Sequence, residues 1–299
     1  MIIENYGNWV EKETKFTSCK IDNKKDLDDF LNKFGSKSTN KCLFRGCNEA
    51  KYKLFTSGQR AWSTYEIKKI KPALGYLDFI KGQVKNALKA NKKVLERFYS
   101  SIGIYPYSIT VLSFLQHYGG NTPLLDFTSD INIALYFATE NISIRPNNEI
   151  DNYFSIYIIE KYNLDNFDDI IREEWSSSQS EVHKKKNTFI ENIIERTKPF
   201  FVEWGIRSLL GSNKIEPFIV EIKRQNLNII NQKGLFVYNP DCTKPLEDCL
   251  ELKTIRCFNV HKSLSEYVKF KIKISEDFIY PKEEEIAKMA ISTFLTKDI

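Results

Sequence analysis

No stretch of the chain is apolar over the roughly 18 residues that a membrane-crossing helix needs, so no spanning helix and no membrane are expected. The first residues, Met1-Ile2-Ile3-Glu4-Asn5, carry an early acid and lack the basic region and apolar stretch of a secretion signal. The expectation is a cytoplasmic protein. Cys-x-x-Cys pairs are missing: Cys19, Cys42, Cys47, Cys242, Cys249 and Cys257 fall at spacings that match no common structural zinc site, even with His261 close to Cys257. No metal is expected, and the thiols read as reduced and buried. Glycine and proline are scarce, 12 and 9 of 299 residues, and no low-complexity linker or internal repeat is present, which argues against global disorder. The Rossmann glycine fingerprint and the Walker lysine loop are both absent, so any nucleotide must be held in another way. Nor does one sign of charge dominate. The balance of 44 basic against 39 acidic residues, net +5, is too mild to argue by itself for nucleic-acid binding.

Apolar residues, by contrast, are plentiful at 42%, with 13% aromatic, and the length is ample for a real core. Residues 1–40 read as a leading helical segment. In it, Leu27, Phe30, Leu31 and Phe34 place one apolar stripe on a short helix over Asp26–Phe34. Lys41–Gly46 reads as a short strand ending at a glycine. Residues 66–101 read as a helix with one basic side, where Lys81, Lys85, Lys89, Lys92 and Lys93 accompany Val84, Leu88 and Leu95. Such a face is either solvated or in contact with phosphates. Thr110–Tyr118 is a helix candidate stopped by Gly119-Gly120, and Asn132–Glu140 is a buried helix that Ser129 or Asp130 can cap. Tyr153–Ile159 reads as a central strand, and Glu216–Lys223 and Gly234–Tyr238 as two more, the last followed by an Asn239-Pro240-Asp241 turn. The strict alternation in Val268–Ile274 predicts a strand with one wet face. Residues near 163–212 read as a polar helical insertion or flap, and residues 283–299 as a terminal helix. The sum is one compact α+β domain, spanning 41–282, with decorations.

Four clusters place polar groups inside apolar surroundings. Arg45 sits between Phe44 and Gly46, Gln116-His117-Tyr118 closes a helix, Asp126 and Thr128 flank Phe127, and Gln232 precedes a strand. A buried Arg or Asp must be paired or hydrogen-bonded. One reading is therefore a structural network in which Arg45 pairs with Asp126. The other is a shared pocket. There the planar fork of Arg45 suits a phosphate, and Gln116 and Thr128 suit an amide or a ribose. His117 suits a phosphate or a proton near neutral pH, and Phe44, Tyr118, Phe127 and Tyr136 suit stacking on a planar ring. That set describes a nucleotide-like ligand.

The same residues carry a family resemblance. Phe44-Arg45-Gly46, Gln116-His117-Tyr118-Gly119, Thr122-Pro123-Leu124-Leu125-Asp126-Phe127-Thr128 and Ala134-Leu135-Tyr136-Phe137-Ala138 resemble the pattern of the FRG domain, with Gln232-Lys233-Gly234-Leu235-Phe236 and Phe278-Ile279-Tyr280-Pro281 similar to its later elements. Phe127 stands where the family usually has Trp. The FRG domain is in turn similar to ADP-ribosyltransferases of the arginine-serine-glutamate class. The resemblance implies an ADP-ribosyltransferase-like fold with a split, mainly antiparallel β core flanked by helices. It implies that Arg45 and its neighbours Phe44 and Gly46 hold the dinucleotide, that Thr128 orders the ribose, and that NAD is the substrate. The class also carries a catalytic Glu on a late strand, which this chain lacks as a Glu-x-Glu. Gln232 is the positional candidate, and Glu216, Glu221, Glu203 and Asp126 are the alternatives. The implied activity is cleavage of the nicotinamide–ribose bond with transfer of ADP-ribose to a macromolecule or water, which in a bacterial cell suits a toxin or a phage-defence effector. The rival functions are a non-catalytic nucleotide-binding module and a nucleic-acid-acting protein that uses the basic face at 81–93.

Overall fold

The computed structural model describes residues 5–35, 41–64, 75–101, 103, 108–144, 149–167, 169–170, 216–221 and 227–281. The expected loop at 36–40, most of the expected insertion near 163–212, and the terminal helix at 283–299 lie outside the described residues. The strands are β1 (Thr17–Ile21), β2 (Cys42–Cys47), β3 (Leu124–Thr128), β4 (Tyr153–Glu160), β5 (Asp165–Asn166), β6 (Phe218–Val220), β7 (Gly234–Tyr238) and β8 (Arg256–His261). They form one mostly antiparallel sheet in the order β1-β8-β4-β2-β3-β7-β6-β5. The pairs β1–β8 and β5–β6 are parallel. The architecture is a compact mixed α/β fold, an open sheet with helices packed on it.

The strands form where the sequence supplies β-branched and aromatic residues. In β4 every residue from Tyr153 to Ile159 is buried, as a strand covered on both faces requires. The leading residues belong to the same sheet. Thr17–Ile21 pairs along β8, and the helix Lys24–Phe34 buries Leu27, Phe30 and Phe34 beside it. Asn23 caps that helix through the Asp26 amide at 3.0 Å.

One contact sets the geometry of the whole sheet. β2 and β4 pair along six residues, and β3 and β7 along five, but β2 and β3 meet in register only at Phe44 and Thr128. The sheet is continuous in order, yet its two halves splay apart beyond that pair. Directly opposed residues point to the same face. Phe44, Thr128, Asp126, Leu124, Gly234, Phe236 and Tyr238 therefore share a face. The alternate residues, among them Leu43, Leu125, Phe127, Leu235 and Val237, share the other and build a core that runs beneath both halves. On the first face the helices divide. Phe44 packs with Ile131, Ala134, Leu135 and Ala138 of the helix Ile131–Thr139, on the β2 side. Leu124, Phe236 and Tyr238 pack with Ile109 and Leu112 of the helix Ser108–His117 and with Tyr76, Ile80 and Val84 of the helix Tyr76–Ser101, on the β7 side. Between these two helix layers, over the splayed strands, a cleft remains.

Gly46 fixes how closely the β2 layer is packed. A Cβ there would lie 1.8 Å from the Ala134 carbonyl oxygen and 2.8 Å from the Ala138 amide. The helix Ile131–Thr139 rests directly on the strand backbone. Asp130 caps it, donated to by the Asn132 amide at 2.9 Å.

The second core face holds a buried polar group. The Lys12 ammonium is fully enclosed and donates to the Ala50 carbonyl at 2.6 Å, Ser155 Oγ at 2.7 Å and Asn259 Oδ1 at 2.9 Å. All three of its protons are used. Close by, Glu247 accepts from Tyr6 Oη and from the Leu54 amide. These bonds fasten residues 6–16 under the sheet.

One expected element is corrected. Val268–Ile274 does not form a strand. Ser265–Ile272 is a helix that ends with Lys273 in the left-handed conformation at φ 50°. Val268 and Ile272, four residues apart, pack with the core together with Tyr267, while Phe270 is 68% exposed. The apolar residues at 268 and 272 fit a helical turn as well as an alternating strand, and β1 and β8 already fill this edge of the sheet. The thiol expectation also needs correcting in part. Cys42 and Cys257 are buried, but Cys19 is exposed.

Candidate functional site

The cleft has a volume of about 310 Å³, at the lower end for small-molecule sites. Phe44, Arg45, Gly46, Gln116, His117, Asp126, Phe127, Thr128 and Gln232 all line it, although they are spread across nearly two hundred residues of chain. The fold explains the convergence. β2 brings Phe44-Arg45-Gly46, β3 brings Asp126-Phe127-Thr128, and the end of the helix Ser108–His117 brings Gln116-His117. The turn before β7 brings Gln232. Tyr118 lies off the cleft, 69% exposed and against Phe114 at 4.8 Å between ring centroids. Tyr136 is likewise not part of the lining. Its ring edge meets Phe137, and burial together with the Glu140 carboxylate pushes its phenol up to about 12.

Arg45 spans the splay of the sheet. Its Nη1 donates to the Asp126 main-chain carbonyl at 2.6 Å, at the point where the β2–β3 ladder has stopped. The Asp126 carboxylate is 3.9 Å away, too far for a hydrogen bond. Arg45 Nε is buried and has no partner among the described residues. A guanidinium donor in that state keeps one hydrogen bond unused. A second guanidinium stands near it. Desolvation, and then the like charge of Arg45, hold the Arg60 pKa below its ordinary value. Arg60, on the helix Ser57–Thr64, carried no motif that would have marked it.

Asp126 is the exposed position in the otherwise buried β3. Gln116 aims it. Gln116 Nε2 donates to Asp126 Oδ2 at 2.7 Å, while Gln116 Oε1 accepts from Thr122 Oγ1 and from Ser57 Oγ at 3.3 Å. With both ends of the amide engaged, one oxygen of the cleft-lining carboxylate is fixed. His117 sits beside it with Nε2 buried and unpartnered among the described residues. Burial lowers the His117 pKa, partly opposed by the Asp126 carboxylate, so the ring is neutral at pH 7.

Thr128 and Gln232 are more committed to structure. Thr128 Oγ1 donates to the Gln232 carbonyl at 2.7 Å and accepts from the Asp130 amide at 3.0 Å, so it ties β3 to the turn before β7. Gln232 Nε2 donates to the Ile279 carbonyl at 3.1 Å. Of the carboxylate alternatives, Glu221 forms an ion pair with Lys161 at 2.9 Å and Glu216 lies outside this cleft, while Glu203 is outside the described residues.

Seven lining residues were not among the expected site residues: Ala134, Phe137, Asn228, Gly234, Leu235, Phe236 and Tyr280. Tyr280 belongs to the Phe278–Pro281 stretch, which the family resemblance had singled out. Asn231 and Gln232 fasten that stretch by donating to the Phe278 and Ile279 carbonyls. The Tyr280 ring meets Phe137, and burial and then the Glu140, Glu276 and Asp126 carboxylates raise its pKa. The cleft is thus cationic at Arg45, acidic at Asp126 and aromatic along Phe137 and Tyr280.

Comparisons with curated proteins and with solved structures find no match. The family model of the FRG domain matches residues 40–146. The matched segment contains β2, the helix Ser108–His117, β3 and the helix Ile131–Thr139, which together supply Arg45, Gln116, His117, Asp126 and Thr128 to the cleft, so residues 40–146 of this chain are similar to an FRG domain.

Proposed function

We propose that the cleft binds NAD and that the protein cleaves its nicotinamide–ribose bond, as an ADP-ribosyltransferase or NAD glycohydrolase. The reading rests above all on the meeting of an unpartnered Arg45 Nε with an aimed Asp126 carboxylate in one cleft. Arg45 takes the pyrophosphate. Phe137 and Tyr280 offer faces to a planar ring, and the cleft volume suits one nucleotide half of the dinucleotide. In the reaction the bond between the nicotinamide nitrogen and ribose C1′ breaks, and nicotinamide leaves with the electron pair as a neutral base. Positive charge builds on C1′ and the ring oxygen. A fixed carboxylate stabilises that charge electrostatically. Asp126 serves here in place of the absent glutamate, because the Gln232 amide is neutral and engaged with Ile279. An acceptor oxygen or nitrogen then adds at C1′ and gives up its proton, and neutral His117 is placed to take it.

The test is nicotinamide release from NAD by the parent and by Asp126→Asn. Loss of the carboxylate charge at unchanged shape is expected to slow release about 100-fold or more, on the scale of removing one electrostatic stabiliser. Because the Asp126 side chain is more than half exposed, the fold is expected to remain intact. Release unaffected by Asp126→Asn would remove Asp126 from the mechanism. NAD-dependent thermal stabilisation without any release would make the cleft a nucleotide-binding module.

A further inference from the structure

The helix Tyr76–Ser101 carries a line of cations with no ion-pair partner among the described residues. Lys81, Lys85, Lys89, Lys93 and Arg97 follow one another at four-residue steps, and all five are exposed. Each step advances about 6 Å along the helix, so the line runs about 24 Å. Lys81 and Lys85 directly follow the buried Ile80 and Val84, and each four-residue step turns the line by about 40°, so it winds as a shallow stripe along the exposed side of the helix.

Elsewhere several lysines are paired with acids. Lys20 pairs with Glu149, Lys51 with Asp151, Lys161 with Glu221, Lys262 with Glu49 and Lys271 with Asp28, each at 2.8–2.9 Å. None of the five cations on this helix forms an ion pair with a described residue. A helix that needed only solubility would place acids four residues from its lysines, since opposite charges at that spacing stabilise and like charges destabilise. Here the like-charged step is repeated four times, and the acids on the helix are only Asp78 and Glu96. The repeat works against helix stability, which a polyanion lying along the flank would relieve.

We infer that this flank binds the phosphodiester backbone of a nucleic acid. Regular cations on a rod match a polymer of regular charge. A membrane surface fits less well. A membrane-lying helix turns its apolar face to lipid, whereas this one buries its apolar face in the protein and exposes Val94 as its one large apolar side chain among the described residues. An acidic protein partner would want a central aromatic or arginine anchor in a pocket, and the flank is a row of separated charges. This inference is independent of the NAD reading.

The test is binding of a labelled single strand and of a labelled duplex, of random sequence, by fluorescence anisotropy between about 50 and 200 mM salt. Five engaged cations give a slope of log K against log salt near about −3.5 for the single strand or about −4.5 for the duplex, and the arm that shows it identifies the form bound. The double variant Lys85→Gln, Lys89→Gln is expected to flatten that slope by about 1.4 or about 1.8 respectively, with melting temperature and nicotinamide release unchanged. Arg45→Ala is expected to keep the slope, which separates this surface from the cleft. No binding to either form at the lowest salt, an equal slope in the double variant, or binding to phosphatidylserine vesicles with none to nucleic acid would each overturn the inference.

Discussion

At the residue scale, single atoms decide what Gly46, Arg45 and Glu247 do. The glycine of Phe44-Arg45-Gly46 was expected to matter through the ligand, yet its immediate duty is packing. The Ala134 carbonyl occupies the place of a side chain. Gly46→Ala is therefore expected to destabilise the fold by about 3 kcal/mol through forced separation of strand and helix, as read by urea denaturation. A change under about 0.5 kcal/mol would mean that the helix Ile131–Thr139 can move away freely. Glu247 makes a prediction about pH. Burial raises its carboxyl to about 7 from an ordinary 4.5. An acid whose folded pKa is raised contributes stability that is complete below the unfolded value and is lost as pH climbs through the folded value. The parent is thus expected to lose roughly 3 kcal/mol between about pH 4.5 and 7 relative to Glu247→Gln. Parallel stability curves for the two proteins over that window would show that Glu247 is ionised in the fold without penalty.

Side-chain chemistry at this scale was largely legible in sequence. Arg45, Gln116, His117, Asp126, Thr128 and Gln232 were picked out as polar groups in apolar settings, and the cleft collects them. What could not be read was how each hydrogen bond is spent. The sequence allowed an Arg45–Asp126 ion pair, which forms at 3.9 Å, but the hydrogen bond of the guanidinium goes to the Asp126 backbone carbonyl, because a splayed strand leaves that carbonyl to be satisfied. Arg60 and Tyr280 escaped for another reason. The place of Tyr280 in the cleft, and of Arg60 beside Arg45, depends on which helix or turn lies beside β2 and β3, and no local pattern encodes that.

At the scale of elements, the helices Lys24–Phe34, Ser108–His117 and Ile131–Thr139 and the strands β2, β4 and β7 follow from apolar spacing and caps. The strands β1 and β8 did not stand out. Thr17–Ile21 and Arg256–His261 mix polar residues with apolar ones, and their pairing with each other depends on a contact between distant parts of the chain. The alternation over Val268–Ile274 misled because it is compatible with both periods. The helix there ends on Lys273, a non-glycine residue held left-handed at φ 50°. Lys273→Gly is expected to stabilise the protein by about 1 kcal/mol by removing that strain, measured as a shift in the urea midpoint at unchanged slope. Destabilisation would show that the Lys273 side chain makes a contribution larger than the strain.

At the scale of the whole molecule, the sheet is two runs of strands joined at one registered pair, with a helix layer on each half and a common core beneath. The resemblance implied a split, mainly antiparallel core; the sheet is mostly antiparallel but continuous through eight strands, and no local pattern states that β2 and β3 part after Phe44 and Thr128. The parting creates the cleft and turns Arg45 across it. The central claim is that this cleft cleaves NAD. The most direct measurement is nicotinamide release from NAD by the purified parent beside Arg45→Ala, each first shown to be folded by its melting curve. The account predicts release by the parent, with loss in the folded variant of on the order of 100-fold or more in kcat/KM, about 3 kcal/mol of transition-state stabilisation. No release by the parent, with and without cell lysate as a source of acceptor, or equal release by both proteins, would contradict it.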